Sequence, residues 1–166
     1  MPEQLFLFDT VSLSNFALAQ SLDLLVSRYG DRLCVTHEVL DELIEGMAAG
    51  YSALNEVLTL VEEGVFSSVV LTREERRACA DLRHDLGAGE ASCLAIASCR
   101  GAVVVTDDRA ARRSCAERSV SFAGTIGILK AMCRDGHISV DEADEILSNM
   151  ISNGFYSPVS RVRDVL

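Results

Sequence analysis

Ala102-Val103-Val104-Val105-Thr106-Asp107-Asp108-Arg109 joins a short apolar run to two adjacent carboxylates. Three valines in succession favour extended backbone, and a run with no polar face reads as a strand buried on both sides. Leu5-Phe6-Leu7-Phe8 followed by Asp9-Thr10 repeats the pattern near the start of the chain. Strands of this kind belong to parallel sheets covered by helices on both faces, so the fold class expected is α/β, a three-layer α/β/α sandwich.

Outward from these two runs, helical and strand signals alternate. Strands are expected over 4–8, 33–35, 68–71, 102–105 and 120–122. Helices are expected over 12–29, 37–48, 51–63, 73–84, 89–99, 109–117, 124–135 and 139–152. Gly30, Gly50, Gly64, Gly136 and Gly154 each follow an apolar-periodic stretch, as helix-terminating glycines do. Thr72…Glu75 and Ser139…Glu142 have the spacing of capping boxes. In the second helix so marked, Ala143, Ile146, Leu147, Met150 and Ile151 fall on one face.

The chain has 166 residues, 49% of them apolar, which suits one domain over 1–166 with the helix 139–152 and the tail 153–166 packing on it. No run of about 20 apolar residues offers a membrane span, and Leu5–Phe8 is too short for a signal peptide. A cytoplasmic protein without membrane contact is expected. Six cysteines, none in a Cys-x-x-Cys pair, read as free thiols packed as small apolar groups. His37, His84 and His137 pair with no cysteine, so zinc is not indicated. A net charge of −10 argues against a protein that coats nucleic acid non-specifically.

In open α/β sheets, sites form beyond the carboxyl ends of the strands. Asp9 and the Asp107-Asp108 pair occupy such ends. Each alone could equally be a helix N-cap. Glu42 joins them on the helix after the second strand, bordering an apolar face made by Leu40, Leu43 and Ile44. Glu90 opens a helix of small residues after Gly87 and Gly89, where a first-turn acid would also favour the helix dipole. Several carboxylates converging on one cleft repel one another unless divalent cations neutralise them. All-oxygen ligands suit Mg2+ or Mn2+, whose chemistry with such a set is phosphodiester hydrolysis.

Taken in order, Asp9-Thr10, Glu42, Gly89-Glu90-Ala91 and Thr106-Asp107-Asp108 resemble the acidic motifs of PIN-domain nucleases. Thr106-Asp-Asp-Arg-Ala-Ala-Arg112, Gly124-Thr-Ile-Gly-Ile-Leu-Lys130 and Asn153-Gly-Phe155 are similar to a PIN subfamily of the DUF3368 kind, related to VapC-type toxins. The resemblance spans nearly the whole chain. It implies a Rossmann-like sandwich and a Mg2+- or Mn2+-dependent ribonuclease, with Asp9, Glu42, Glu90 and Asp108 catalytic. Asp9, Glu90 and the Asp107/Asp108 pair would hold metal, with Thr106 and Thr10 orienting the carboxylates. Asp108 takes the Thr-x-Asp position, which leaves Asp107 to cap the helix beginning near Arg109. Glu90 departs from the toxins, which usually carry aspartate there. The resemblance also implies RNA as substrate (single-stranded DNA being the variant), an antitoxin protein as partner, and a homodimer. An inactive binding module of the same fold is the alternative.

Arg109, Arg112 and Arg113 share one side of a helix beginning beside the aspartates and are candidates to bind substrate phosphates, or else form a solvated face. Aromatic content of 5% is low for a stacking platform, so contacts to the nucleic-acid backbone are expected to dominate. A response-regulator receiver is excluded because Asp9 stands alone and Lys130, the only lysine, lies in a helix. A haloacid-type phosphatase is excluded because Val11 breaks its Asp-x-Asp motif.

Overall fold

A computed structural model describes residues 3–166. Its strands β1 (Phe6–Phe8), β2 (Leu33–Thr36), β3 (Ser67–Val69), β4 (Val103–Val105) and β5 (Phe122–Ala123) form one sheet. The sheet is parallel throughout, in the order β3-β2-β1-β4-β5. Among the described residues the helices are α1 (Thr10–Leu18), α2 (Leu22–Tyr29), α3 (His37–Ala48), α4 (Asn55–Glu62), α5 (Arg73–Leu82), α6 (Ala88–Arg100), α7 (Arg109–Glu117), α8 (Thr125–Arg134) and α9 (Val140–Ser152). The architecture is the expected three-layer α/β/α sandwich.

Chain direction through the sheet reverses at β1. From there β2 and β3 run to one side, while β4 and β5 run to the other. Phe8 pairs with Val105, and the Asp9 N–H donates to the Val105 carbonyl at 3.1 Å. Asp9 and Thr106 therefore leave the sheet side by side, at the point where two crossovers diverge and a crevice opens.

The sheet is short, and its apolar strands are sealed by aromatic and aliphatic side chains. Phe8 packs against Phe16 and Tyr29 with ring centroids 6.5 and 5.7 Å apart. Fully burying each such side chain stabilises by about 1.5–3 kcal/mol. Residues 91–97 of α6 are all buried, because Ala, Ser and Cys let this central helix lie close to its neighbours α3 and α5. Four of the six cysteines, Cys34, Cys79, Cys93 and Cys115, are buried. No helix among the described residues is long and apolar enough to cross a membrane.

Two expected helices differ from the structure. The helix expected over 12–29 is two helices, α1 and α2, and starts at Thr10 because Asp9 caps it. Gln20 closes α1 in the left-handed region, φ +55°, while the Ser21 N–H donates to the Phe16 carbonyl at 2.9 Å. That conformation costs a non-glycine residue energy. Burial of Leu22 and Leu25 just beyond the turn offsets the cost. The helix expected over 51–63 begins as a 3-10 turn, Ser52–Leu54, before α4. The tail ends in a 3-10 turn (Val162–Val165) against α8 and α9, where Val162 is fully buried and Arg163 pairs with Asp141 and Asp144 of α9.

Candidate active site

Beyond the ends of β1 and β4 lies a cleft of about 350 Å3 lined by Asp9, Val11, Asn15, Glu90, Asp107, Asp108, Gly154, Phe155 and Tyr156. Each acid reaches it for a local reason. Asp9 caps α1, its Oδ1 accepting the Ser12 N–H at 2.8 Å. Asp108 caps α7, its Oδ1 accepting the Ala111 N–H at 2.8 Å. Glu90, in the first turn of α6, accepts the Gly87 N–H on Oε2 at 3.1 Å. Helix N-termini thus hold three carboxylates at one sheet edge, where the helix dipoles favour negative charge.

The pair Asp107-Asp108 corrects the expected division of labour. Asp108, not Asp107, caps the helix that starts at Arg109. Asp107 reaches across to the start of α8, accepting the Thr125 N–H at 2.9 Å and the Thr125 hydroxyl at 2.6 Å. Both line the cleft, because the chain stops alternating like a strand once Asp108 begins the helix. Thr106 is fully buried, and its hydroxyl oxygen accepts the Asp108 N–H at 3.2 Å.

The electrostatics match a site short of positive charge. Burial pushes the Asp9 carboxyl above its ordinary range, and the charge on Asp107 adds to this against the hydrogen bonds from Thr106 and Ser12. Burial likewise raises Glu90, helped by repulsion from Asp108, Asp9 and Glu42. Carboxyls raised together in a cleft are the pattern of a candidate functional site.

Other expected site residues lie elsewhere. Glu42 lines an adjoining hollow with Thr10, Gly46, Tyr51 and Leu54, and accepts the Thr10 hydroxyl on Oε1 at 2.7 Å. Gly89 leaves room for this placement, since a Cβ there would fall 2.0 Å from Glu42 Oε1 and push that carboxylate aside. Arg112 turns inward: its Nε donates to the Thr106 carbonyl at 2.9 Å, it stands 3.6 Å from Asp107, and its guanidinium lies over Phe122. Arg113 lines a separate hollow with Asp85 and Glu117, and Arg109 is exposed at the start of α7. The three arginines do not form one face toward the cleft.

Five residues at the site are not among the expected site residues, although Thr125, Gly154 and Phe155 fall in the family-like motifs. Asn15 is 8% exposed and donates to the Thr125 hydroxyl at 3.2 Å, extending the chain of contacts Asn15–Thr125–Asp107. Its signal was a polar side chain among the buried Leu13, Phe16 and Ala17. Thr125 follows Gly124, where a Cβ would meet Arg112 and Asp107. Gly154, Phe155 and Tyr156 come from the tail, and no local pattern announces that the tail returns to the cleft.

The donor set suits a hard divalent cation in kind, being all carboxylate. As placed, no three Asp, Glu, His or Cys side chains among the described residues stand close enough to hold an ion without moving. Among the described residues Glu90 and Asp108 are each held by one hydrogen bond, from the Gly87 and Ala111 N–H groups, and Glu90 has the longer side chain.

Solved structures of similar fold include PAE2754 from Pyrobaculum aerophilum, at TM-score 0.55 and 21% identity, covering 79% of this chain and 98% of that one. A second is VapBC2 from Rickettsia felis bound to a DNA fragment from their promoter, at TM-score 0.50 and 13% identity, covering 73% of this chain and 98% of that one. No curated protein matches the sequence. The family model described as PIN domain, DUF3368, matches residues 5–166, so the chain belongs to this PIN-domain family.

Proposed function

We propose that this protein is a ribonuclease that hydrolyses RNA phosphodiester bonds with a bound Mg2+ or Mn2+. One observation carries the reading. Asp9, Glu90 and Asp108, from three different elements, line a single cleft at the reversal of the sheet, and among the described residues no basic side chain lines it with them. These three would hold the ion, with Asp107 fixing the wall beside them through Thr125. When bound, such an ion polarises the phosphodiester and stabilises charge on its oxygens. The Ser12 N–H holds the Asp9 carboxylate in the orientation this reading uses. Glu90, raised by burial and by its acidic neighbours, is a carboxyl whose charge a bound cation would offset.

Labelled single-stranded RNA, structured RNA and single-stranded DNA, incubated with Mn2+ or with chelator, test the reading. Chelator-sensitive cleavage by wild type and none by Asp9→Asn is the expected result. A wild type that cuts none of the three favours the inactive module, which the spread of the acids also suits.

The likeness to the VapBC2 complex supports the further reading that the protein is the toxin of a toxin–antitoxin pair. Growth arrest on expression, relieved by the product of an adjacent small reading frame, is the outcome expected. Unimpaired growth with active enzyme would remove the toxin role and leave the nuclease.

A further inference from the structure

We propose that Tyr156 stacks on a nucleobase of single-stranded RNA at the mouth of the acidic cleft. The inference deepens the ribonuclease reading and rests on it. Tyr156 is 96% exposed, yet it lines the same cleft as Asp9, Glu90, Asp107 and Asp108.

Its backbone is held on both sides. Phe155 before it is buried in the core, and its N–H donates to the Met150 carbonyl at 3.0 Å. Ser157 after it makes a local turn, its hydroxyl donating to the Val159 carbonyl at 2.6 Å and accepting the Val159 N–H at 3.3 Å. A bare aromatic ring is thereby presented to solvent by fixed backbone.

The charge pattern says what the ring is suited to meet. Among the described residues lining the cleft there is no lysine or arginine, while four carboxylates repel phosphate. Arg112 is tied to Thr106, Asp107 and Phe122, and Arg113 lines another hollow. Away from the phosphate that a bound ion would meet, a strand entering this cleft needs a grip indifferent to backbone charge. Stacking provides it, because every base presents a π-face to an aromatic ring. Val11, half-exposed on the same cleft, adds apolar surface. A chain poor in aromatics can still hold one base with one ring.

Cleavage kinetics and chelator-arrested binding of a short labelled single-stranded RNA, with the full chain, test this. Tyr156→Ala should raise KM and Kd roughly 5- to 150-fold, with kcat nearly unchanged. Tyr156→Phe should behave as wild type, since the ring and not the hydroxyl acts. An abasic strand of equal length should bind wild type and Tyr156→Ala alike. Unchanged KM in Tyr156→Ala, equal impairment in Tyr156→Phe, or the same loss on the abasic strand would each overturn the proposal. The first of these, with wild type active, sinks stacking alone and leaves the ring to a protein partner. A wild type that neither binds nor cuts RNA fails the ribonuclease reading, and this one with it.

Discussion

Asp9 and Glu75 are buried to the same degree, 2% and 1% exposed, and both serve a helix N-terminus, yet their carboxyls are pushed in opposite directions. Glu75 closes the capping box of α5, accepting the Thr72 N–H at 2.9 Å. It also takes two hydrogen bonds from Arg100 at 2.8 Å, and these hold it below its ordinary range despite burial. Asp9 lies deeper in the protein and takes hydrogen bonds but no cation among the described residues, so burial outweighs them and its carboxyl rises. A buried acid that the fold has neutralised is part of the scaffold. One left uncompensated beside other acids is a place where the fold has given up stability for something else to bind.

The strongest way to break this comparison is to remove the uncompensated charge. Asp9→Asn should abolish chelator-sensitive cleavage, a loss of roughly a hundredfold or more. Its melting temperature should stay level or rise, because asparagine caps a helix as well as aspartate while the buried charge and its repulsion disappear. A marked fall in melting temperature would show Asp9 to be scaffold, like Glu75.

Glu75→Gln should behave in the reverse manner, sparing cleavage while destabilising the fold. The loss should be about 2–3 kcal/mol, below that for a fully buried pair because the Arg100 side chain is 34% exposed. Since Glu75 titrates lower in the folded chain than its ordinary 4.5, its contribution is complete above that value. It is lost as pH falls through the folded value. Thermal melts of wild type and Glu75→Gln should therefore differ at neutral pH and converge in acid. A constant gap across that window would mean the pair's charge contributes nothing.

Asp107 and Asp108 sharpen the contrast within the cleft. Asp107 spends both oxygens on Thr125, as a scaffold acid does, while Asp108 spends one on Ala111. Asp107→Ala should cost about 1–2 kcal/mol, by orphaning the Thr125 N–H and hydroxyl. Asp108→Asn should leave stability within about 0.5 kcal/mol and remove Mn2+ binding. Calorimetry with Mn2+ and melts on both variants decide the matter. Lost binding in a folded Asp107→Asn would make Asp107 a ligand as well.

How much of this could be read from the chain follows from the range of each contact. Strands buried on both faces leave continuous apolar runs, so Leu5–Phe8 and Val103–Val105 were legible, and Asp9 and Asp107-Asp108 with them. The break at Gln20 was not, because no glycine marks it and packing of α2 compensates the strained turn. The cap of the helix at Arg109 was misassigned to Asp107, since Asp107 takes its partner 18 residues on, at Thr125. The return of Gly154–Tyr156 to the cleft depends on α9 packing against α1 and α8, which no window of sequence contains.

The smallest expected effect on stability tests Glu42, which lies between the two kinds of acid. It is half-buried, holds the Thr10 hydroxyl at 2.7 Å, and adds to the repulsion on Glu90 without lining the main cleft. Gly89→Ala addresses its placement without touching its chemistry. The new Cβ would fall 2.0 Å from Glu42 Oε1, but the clash is with the end of a flexible side chain, which can rotate away. Losing the Thr10 hydrogen bond should cost about 0.5–1.5 kcal/mol. Replacing glycine in the first turn of α6 should return up to about 1 kcal/mol. The melting temperature should therefore scarcely move, so any change in cleavage reports on where Glu42 points. If Glu42 serves the reaction, Gly89→Ala should lower kcat toward that of Glu42→Gln with KM little changed. Full activity in Gly89→Ala beside an inactive Glu42→Gln would show that the carboxylate acts by charge alone. Full activity in both would place Glu42 with Glu75, among the acids that only hold the fold.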